Sequence, residues 1–303
     1  RPLASSETRA ILDAVVEGRS VAVAQQAAAR SELPRFPNAR VLVVDDAAVN
    51  REVASEALKR LGITADLAND GREAVAAVEA NTYDLVLMDG SMPEMDGYEA
   101  TRAIRARESK TGRARLAIVA LTAHVVGAAA TAWRDAGMDG VLHKPFTLTA
   151  LAQCLAGHLS AAGADTPIAE EPVEDAAPEM LDVDPKIIAG LREMSGGENA
   201  AVMRIVALYC AHAPQSLAAI VAAFEAGDCK ALGSAAHALK SMSANIGAMK
   251  VYAAAQAIER AARLDQRLPE AELVTGLPAL VEAASVEVRR LAEEGSVPAR
   301  RSA

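Results

Sequence analysis

The chain has 303 residues, 51% apolar and 23% charged, with a net charge of −9. That suits about two globular domains and excludes a wholly disordered or collagen-like chain. No run of 18 apolar residues occurs, no basic-then-apolar leader opens the sequence, and no segment is basic enough for a nucleic-acid footprint; the reading is therefore no membrane span, no secretory signal and no nucleic-acid partner. Cys154, Cys210 and Cys229 form no C-x-x-C pair, which fits a reducing, cytoplasmic setting and argues against a zinc or redox motif.

In chain order, residues 1–38 hold one helix-like piece near 6–17 and an Ala-rich tether ending in Leu33, Pro34, Pro37 and Asn38. Residues 39–160 alternate between two patterns. Apolar runs at Val41–Asp45, Ile63–Ala68, Leu85–Asp89, Ala117–Thr122 and Gly140–His143 read as strands. Helical spacing recurs near 49–60, 71–80, 97–107, 127–136 and 147–159. This is a (βα)5 order, which predicts a doubly wound parallel sheet with helices on both faces. Residues 161–181 carry three prolines and six acids and read as a solvated, self-repelling linker. From 182 to 295 every pattern is helical, near 185–194, 198–226, 228–246, 249–264 and 278–293, which predicts an antiparallel helical bundle. Residues 296–303 are a short tail.

Ligands of doubly wound sheets bind at the carboxyl ends of the strands, near the switch in strand order. Here those ends carry Asp45 and Asp46, then Asp89, Thr122, and Lys144 followed by Pro145. Three converging carboxylates repel one another unless a cation sits among them, and oxygen donors suit Mg²⁺. One carboxylate then serves as a nucleophile toward a phosphoryl group, with Lys144 and Thr122 placed to stabilise its oxygens. A single Asp at a strand end is more simply a helix cap; the weight lies in all five positions falling on the same edge.

Residues 40–160 resemble the receiver domain of two-component response regulators, through VLVVDDAAVNR (41–51), LVLMDGSMPEMDGYE (85–99), ALTAH (120–124) and HKPF (143–146). The resemblance implies a flavodoxin-like fold with Asp89 as phospho-acceptor. It also implies Asp46 and Asp89 as Mg²⁺ ligands, Asp45 acting through water, the Ser91 carbonyl as a further ligand, and Thr122 and Lys144 contacting the phosphoryl group. Pro93 and Gly97 would shape the loop after Asp89, and the Lys144–Pro145 peptide is often cis in the family. The position three before the lysine, often aromatic in the family, is Val141 here, which disfavours an aromatic-rotamer switch. His124 is a candidate for tuning acyl-phosphate hydrolysis.

The second half contains HALKSMSANIGA, His237 to Ala248. Lys240 shares the face of His237 at i+3, a face expected to be exposed, and Ser241 and Ala244 add small residues to it. A neutral imidazole is a competent phosphoryl nucleophile and needs no local base. The bland alternative is a histidine facing solvent. The segment resembles the histidine-phosphotransfer (HPt) domain, matching at His237, Leu239, Lys240, Ser241 and Gly247, and implies His237 as the phosphorylated residue.

A receiver followed by an HPt domain resembles the tail of a hybrid sensor histidine kinase. In that arrangement Asp89 takes a phosphoryl group from an upstream phosphohistidine, and His237 carries it to a downstream response regulator receiver. Arg1-Pro2-Leu3 echoes Lys144-Pro145-Phe146, so residues 1–17 read as the end of a preceding receiver-like domain. No ATP-binding motif of a kinase core is visible; that core is expected upstream, with any membrane anchor of the parent protein outside this segment. The alternative is a docking module that gates a kinase core without onward transfer. An Asp-nucleophile phosphatase of the haloacid dehalogenase type is disfavoured, because strand one carries an adjacent acid pair instead of D-x-D.

Overall fold

The computed structural model describes residues 33–123, 132–159 and 182–294. The chain divides into two compact units at Phe36/Pro37, and every element below belongs to the second. The expected N-terminal piece, acidic linker and tail fall almost wholly outside the described residues, as does His124.

Five strands form one sheet: β1 (Val41–Val44), β2 (Asp66–Ala68), β3 (Leu85–Asp89), β4 (Ala117–Ala123) and β5 (Gly140–Lys144). The order is β2-β1-β3-β4-β5 with every neighbouring pair parallel. β1 and β3 are buried along their whole length, as central strands covered on both faces must be. Between the strands lie α1 (Ala48–Arg60), α2 (Gly71–Ala80), α3 (Gly97–Thr111), α4 (Ala132–Asp135) and, after β5, α5 (Leu148–Leu159). Local chemistry sets their ends. Asp70 caps α2 by accepting from the Glu73 amide, and Asp96 and Glu99 form a reciprocal capping box on α3.

The second half is helical: α6 (Pro185–Met194), α7 (Asn199–Glu225), α8 (Cys229–Ile246), α9 (Met249–Arg263) and α10 (Ala271–Glu294). α8 packs on α7 and α9, and α10 packs on α7 and α9. Asp228 caps α8, which ends at Gly247 with φ 75°. That glycine also admits a close neighbour, since a Cβ there would lie 2.8 Å from the Asp184 carbonyl oxygen. By length and composition alone α7 could cross a membrane, but its Val202, Ile205, Val206 and Tyr209 belong to the bundle's apolar core.

Among the described residues, three boundaries differ from the sequence reading by more than two positions. α10 begins at Ala271 instead of near 278, with Pro278 in its interior. Val274, Leu277 and Val281 form one buried face across that proline, so packing outweighs the missing N–H. α3 runs to Thr111, where Gly112 in the left-handed region stops it. β2 spans only Asp66–Ala68, since only that part pairs with β1.

Candidate functional site

Strand order reverses direction between β1 and β3, so Asp45 and Asp46 after β1 lie beside Asp89 at the end of β3. Carboxylate oxygens of the three lie within 4.8 Å of one another. Lys144, ending β5, sends its ammonium into this group, 2.6 Å from Asp45 Oδ2 and 2.9 Å from Asp89 Oδ2. Asp45, Asp89 and Lys144 are all buried. The other oxygen of Asp45 accepts from the Ala47 amide and from Asn50 Nδ2, each at 2.9 Å. The Ser91 amide donates to Asp89 Oδ1 at 3.3 Å. Thr122 reaches the same edge and places its hydroxyl 3.3 Å from His143 Nδ1. The Lys144–Pro145 peptide is cis, and Val141 packs partly buried against the sheet's apolar core.

Burial, with the charges of Asp89 and Asp46, pushes the Asp45 carboxyl up to about 7 against the pull of Lys144. Burial likewise raises Asp46. On Asp89 burial also acts upward, but the Lys144 ammonium and then His237 overcome it and hold the carboxyl below its ordinary value. Asp89 is therefore the carboxylate most firmly kept ionised, as a nucleophile requires. One ammonium faces three carboxyl groups, leaving the pocket with more oxygen donors than that single cation can neutralise. That donor set fits a hard divalent cation such as Mg²⁺ at Asp45, Asp46 and Asp89.

His237 projects from α8 and is 9% exposed. Its Nδ1 lies 2.7 Å from Glu259 Oε1 on α9, and Lys240 Nζ lies 2.5 Å from Glu259 Oε2. Burial acts to raise the Glu259 carboxyl, but hydrogen bonding and charge from His237, with Lys240, carry it down to about 2. An ionised carboxylate only accepts, so Nδ1 is the nitrogen that donates to Glu259, and in a neutral ring with that tautomer the lone pair lies on Nε2. Arg263, one turn further along α9, lies 3.4 Å from Glu259 and donates to Ser91 Oγ at 3.2 Å. Gly233 makes room for it, since a Cβ there would meet the arginine's Cγ at 2.7 Å.

Asp45, Asp46, Asp89, Lys144 and Thr122 thus lie at one sheet edge, with the Ser91 amide on Asp89; His237 and Lys240 lie together on α8. One expectation needs correction. Lys240 does not lie on an exposed face: it is 7% exposed, because Glu259 supplies a buried partner that spacing within α8 cannot reveal. Glu259 itself was missed. Its signal is a charged residue four positions after Ala255, on the flank of the buried stripe Val251, Ala255, Ile258 and Ala262.

Residues 41–156 match the family model described as the response regulator receiver domain, and residues 204–287 match the Hpt domain. Histidine kinase 5 of Arabidopsis thaliana is 36% identical over 155 residues, covering 43% of this chain and 17% of the kinase. Sensor protein GacS of Pseudomonas syringae pv. syringae is 43% identical over 114 residues, 38% of this chain and 13% of that protein. The chain therefore spans less than a fifth of either relative. Among solved structures, the receiver domain of sensor histidine kinase PA1611 from Pseudomonas aeruginosa, with a magnesium ion coordinated in its active-site cleft, is 38% identical; the match covers 40% of this chain and 97% of that one, with a TM-score of 0.37.

Proposed function

We propose, from the premise that this chain joins a receiver domain to an Hpt domain of a two-component phosphorelay, that Asp89 accepts a phosphoryl group and His237 carries it onward. The donor is a phosphohistidine on an upstream histidine kinase core, and the acceptor is a downstream receiver. The observation that carries this reading is that Asn50, bonded to Asp45 in the acid pocket, also donates to Ser241, one turn after His237 on α8, while Arg263 beside Glu259 donates to Ser91 in the loop after Asp89, so the two halves of a relay meet at their reactive residues.

In the first step an oxygen of Asp89 forms the new P–O bond as the donor's N–P bond breaks. Lys144, already on Asp89, and Thr122 at the same edge stabilise the phosphoryl oxygens. Bound at Asp45, Asp46, Asp89 and the Ser91 carbonyl, Mg²⁺ would neutralise charge on the phosphoryl group. In the second step the Nε2 lone pair of His237 forms an N–P bond while the P–O bond to Asp89 breaks, and its electron pair returns to the Asp89 carboxylate beside Lys144. The phosphoimidazolium formed keeps its proton on Nδ1, donated to Glu259, whose negative charge stabilises it. Working units of 39–160 and 182–295 in a cytoplasmic setting complete the reading. Incubation with acetyl phosphate and Mg²⁺ tests it: acid-labile phosphate on His237 that disappears in Asp89→Asn supports the relay, and its persistence in that variant refutes it.

A further inference from the structure

The two domains are fastened face to face. Ala47, Val49 and Val53, around and on receiver helix α1, belong to the same buried apolar cluster as Ile188, Val202 and Ile246 of the bundle. α1 packs on α6, α7 and α8. Polar contacts surround that apolar patch. Asn50 Nδ2 donates to both Asp45 Oδ1 and Ser241 Oγ, and Asn50 Oδ1 accepts from Asn245 Nδ2 at 2.8 Å. Ser241 and Asn245 lie four and eight residues after His237, on its own helical face. Asn50 therefore ties the acid pocket directly to the helix that carries the histidine. On one side, Arg204 of α7 bridges Glu52 at 3.1 Å and Glu56 at 2.6 Å, neighbours on α1 at i and i+4. On another, Arg263 reaches Ser91 in the loop after Asp89.

We propose, resting on the relay reading above, that this face is a self-docking surface: the Hpt face around His237 receives the receiver of its own chain, and Asp89-to-His237 transfer runs within one molecule. Arg204 with Glu52 and Glu56 selects the resident receiver by charge, and Asn50 with Ser241 and Asn245 sets the register. The 22 residues 160–181 join the domains. A connection of that length reaches at most ~75 Å, and tethering over such distances gives an effective concentration on the order of millimolar. At low micromolar protein the tethered receiver outcompetes a second copy by roughly a hundredfold or more. The docking has a consequence: Ser241, 6% exposed and one turn after His237, is bonded to Asn50 of the resident receiver, so an outgoing receiver takes the same face only after the resident one leaves.

The test uses the full chain with acetyl phosphate and Mg²⁺, following phosphohistidine by mass spectrometry at mild pH. Wild-type transfer is expected at a rate independent of protein concentration across the low micromolar range. A mixture of Asp89→Asn and His237→Gln chains is expected to give almost none. Arg204→Glu slows transfer roughly tenfold while leaving phosphorylation of Asp89 unchanged, and adding Glu52→Arg and Glu56→Arg restores most of the rate. A rate proportional to concentration, or a mixture that labels His237 as fast as the wild type, overturns the proposal. Phosphate on wild-type Asp89 that never reaches His237 overturns the relay reading instead. The docking is then judged by carbethoxylation of His237 with diethyl pyrocarbonate: protection in the wild type that is lost in Arg204→Glu supports it, and equal modification of both overturns it.

Discussion

Glu259 joins His237, Lys240 and Arg263, and replacing it with Gln keeps the side chain's shape while removing its charge. Its folded carboxyl sits at about 2, against about 4.3 in an unfolded chain, a gap corresponding to about 3 kcal/mol. Stranding one member of a buried ion pair costs a similar about 3–5 kcal/mol. The side chains here are 9–12% exposed, which favours the lower end of that range. With a urea slope of about 2–3 kcal/mol per molar, the midpoint at pH 7 should fall by about 1 M. A depressed folded pKa stabilises above the unfolded value and is lost as pH falls toward the folded one, so the difference between wild type and variant should shrink to about half at pH 3. Urea titration followed by far-UV circular dichroism measures both quantities. Adding Lys240→Met to the variant removes the stranded ammonium and should recover most of the loss. A gap that is constant between pH 3 and 7, or a double variant no more stable than Glu259→Gln, refutes the argument.

Asp89→Asn should abolish acyl phosphate formed from acetyl phosphate and Mg²⁺, seen as loss of the hydroxylamine-sensitive phosphate. Lys144→Met leaves Asp45 and Asp89 buried side by side without their shared cation; it should lower phosphorylation of Asp89 at least tenfold and raise the stabilisation that added Mg²⁺ gives in thermal melts. Gly97→Ala would set a Cβ 2.0 Å from the Asp89 carbonyl oxygen, which backbone cannot yield cheaply; a loss of about 2 kcal/mol or more is expected in chemical denaturation. Gly233→Ala meets only the flexible stem of Arg263, so stability should change by about 1 kcal/mol or less while transfer to His237 slows.

The receiver's strands were legible because central parallel strands are nearly continuous apolar runs, as in Val41–Val44 and Leu85–Asp89, and because turn and cap residues separate them from the helices. The strand-end positions of Asp45, Asp46, Asp89, Thr122 and Lys144 followed from that order, since parallel strands deliver their carboxyl ends to one edge. The bundle helices were legible from their spacing, though Pro278 hid the first two turns of α10 behind a residue that usually starts a helix. Pairings between distant elements were not legible. Glu259 meets His237 across 22 positions, and Asn50 meets Ser241 across 191. No periodicity links such residues; only the packing of α8 on α9 and of α1 on α8 brings them together. That is also why Lys240, charged and at a motif position, read as exposed although a carboxylate on another helix waits for it.

The central claim, a relay from Asp89 to His237, is tested most directly by mapping phosphate in the intact chain after Mg²⁺ and acetyl phosphate, with Asp89→Asn alongside. The account predicts phosphate on Asp89 and, dependent on it, on Nε2 of His237. Phosphate confined to Asp89, or phosphohistidine undiminished in Asp89→Asn, would contradict it.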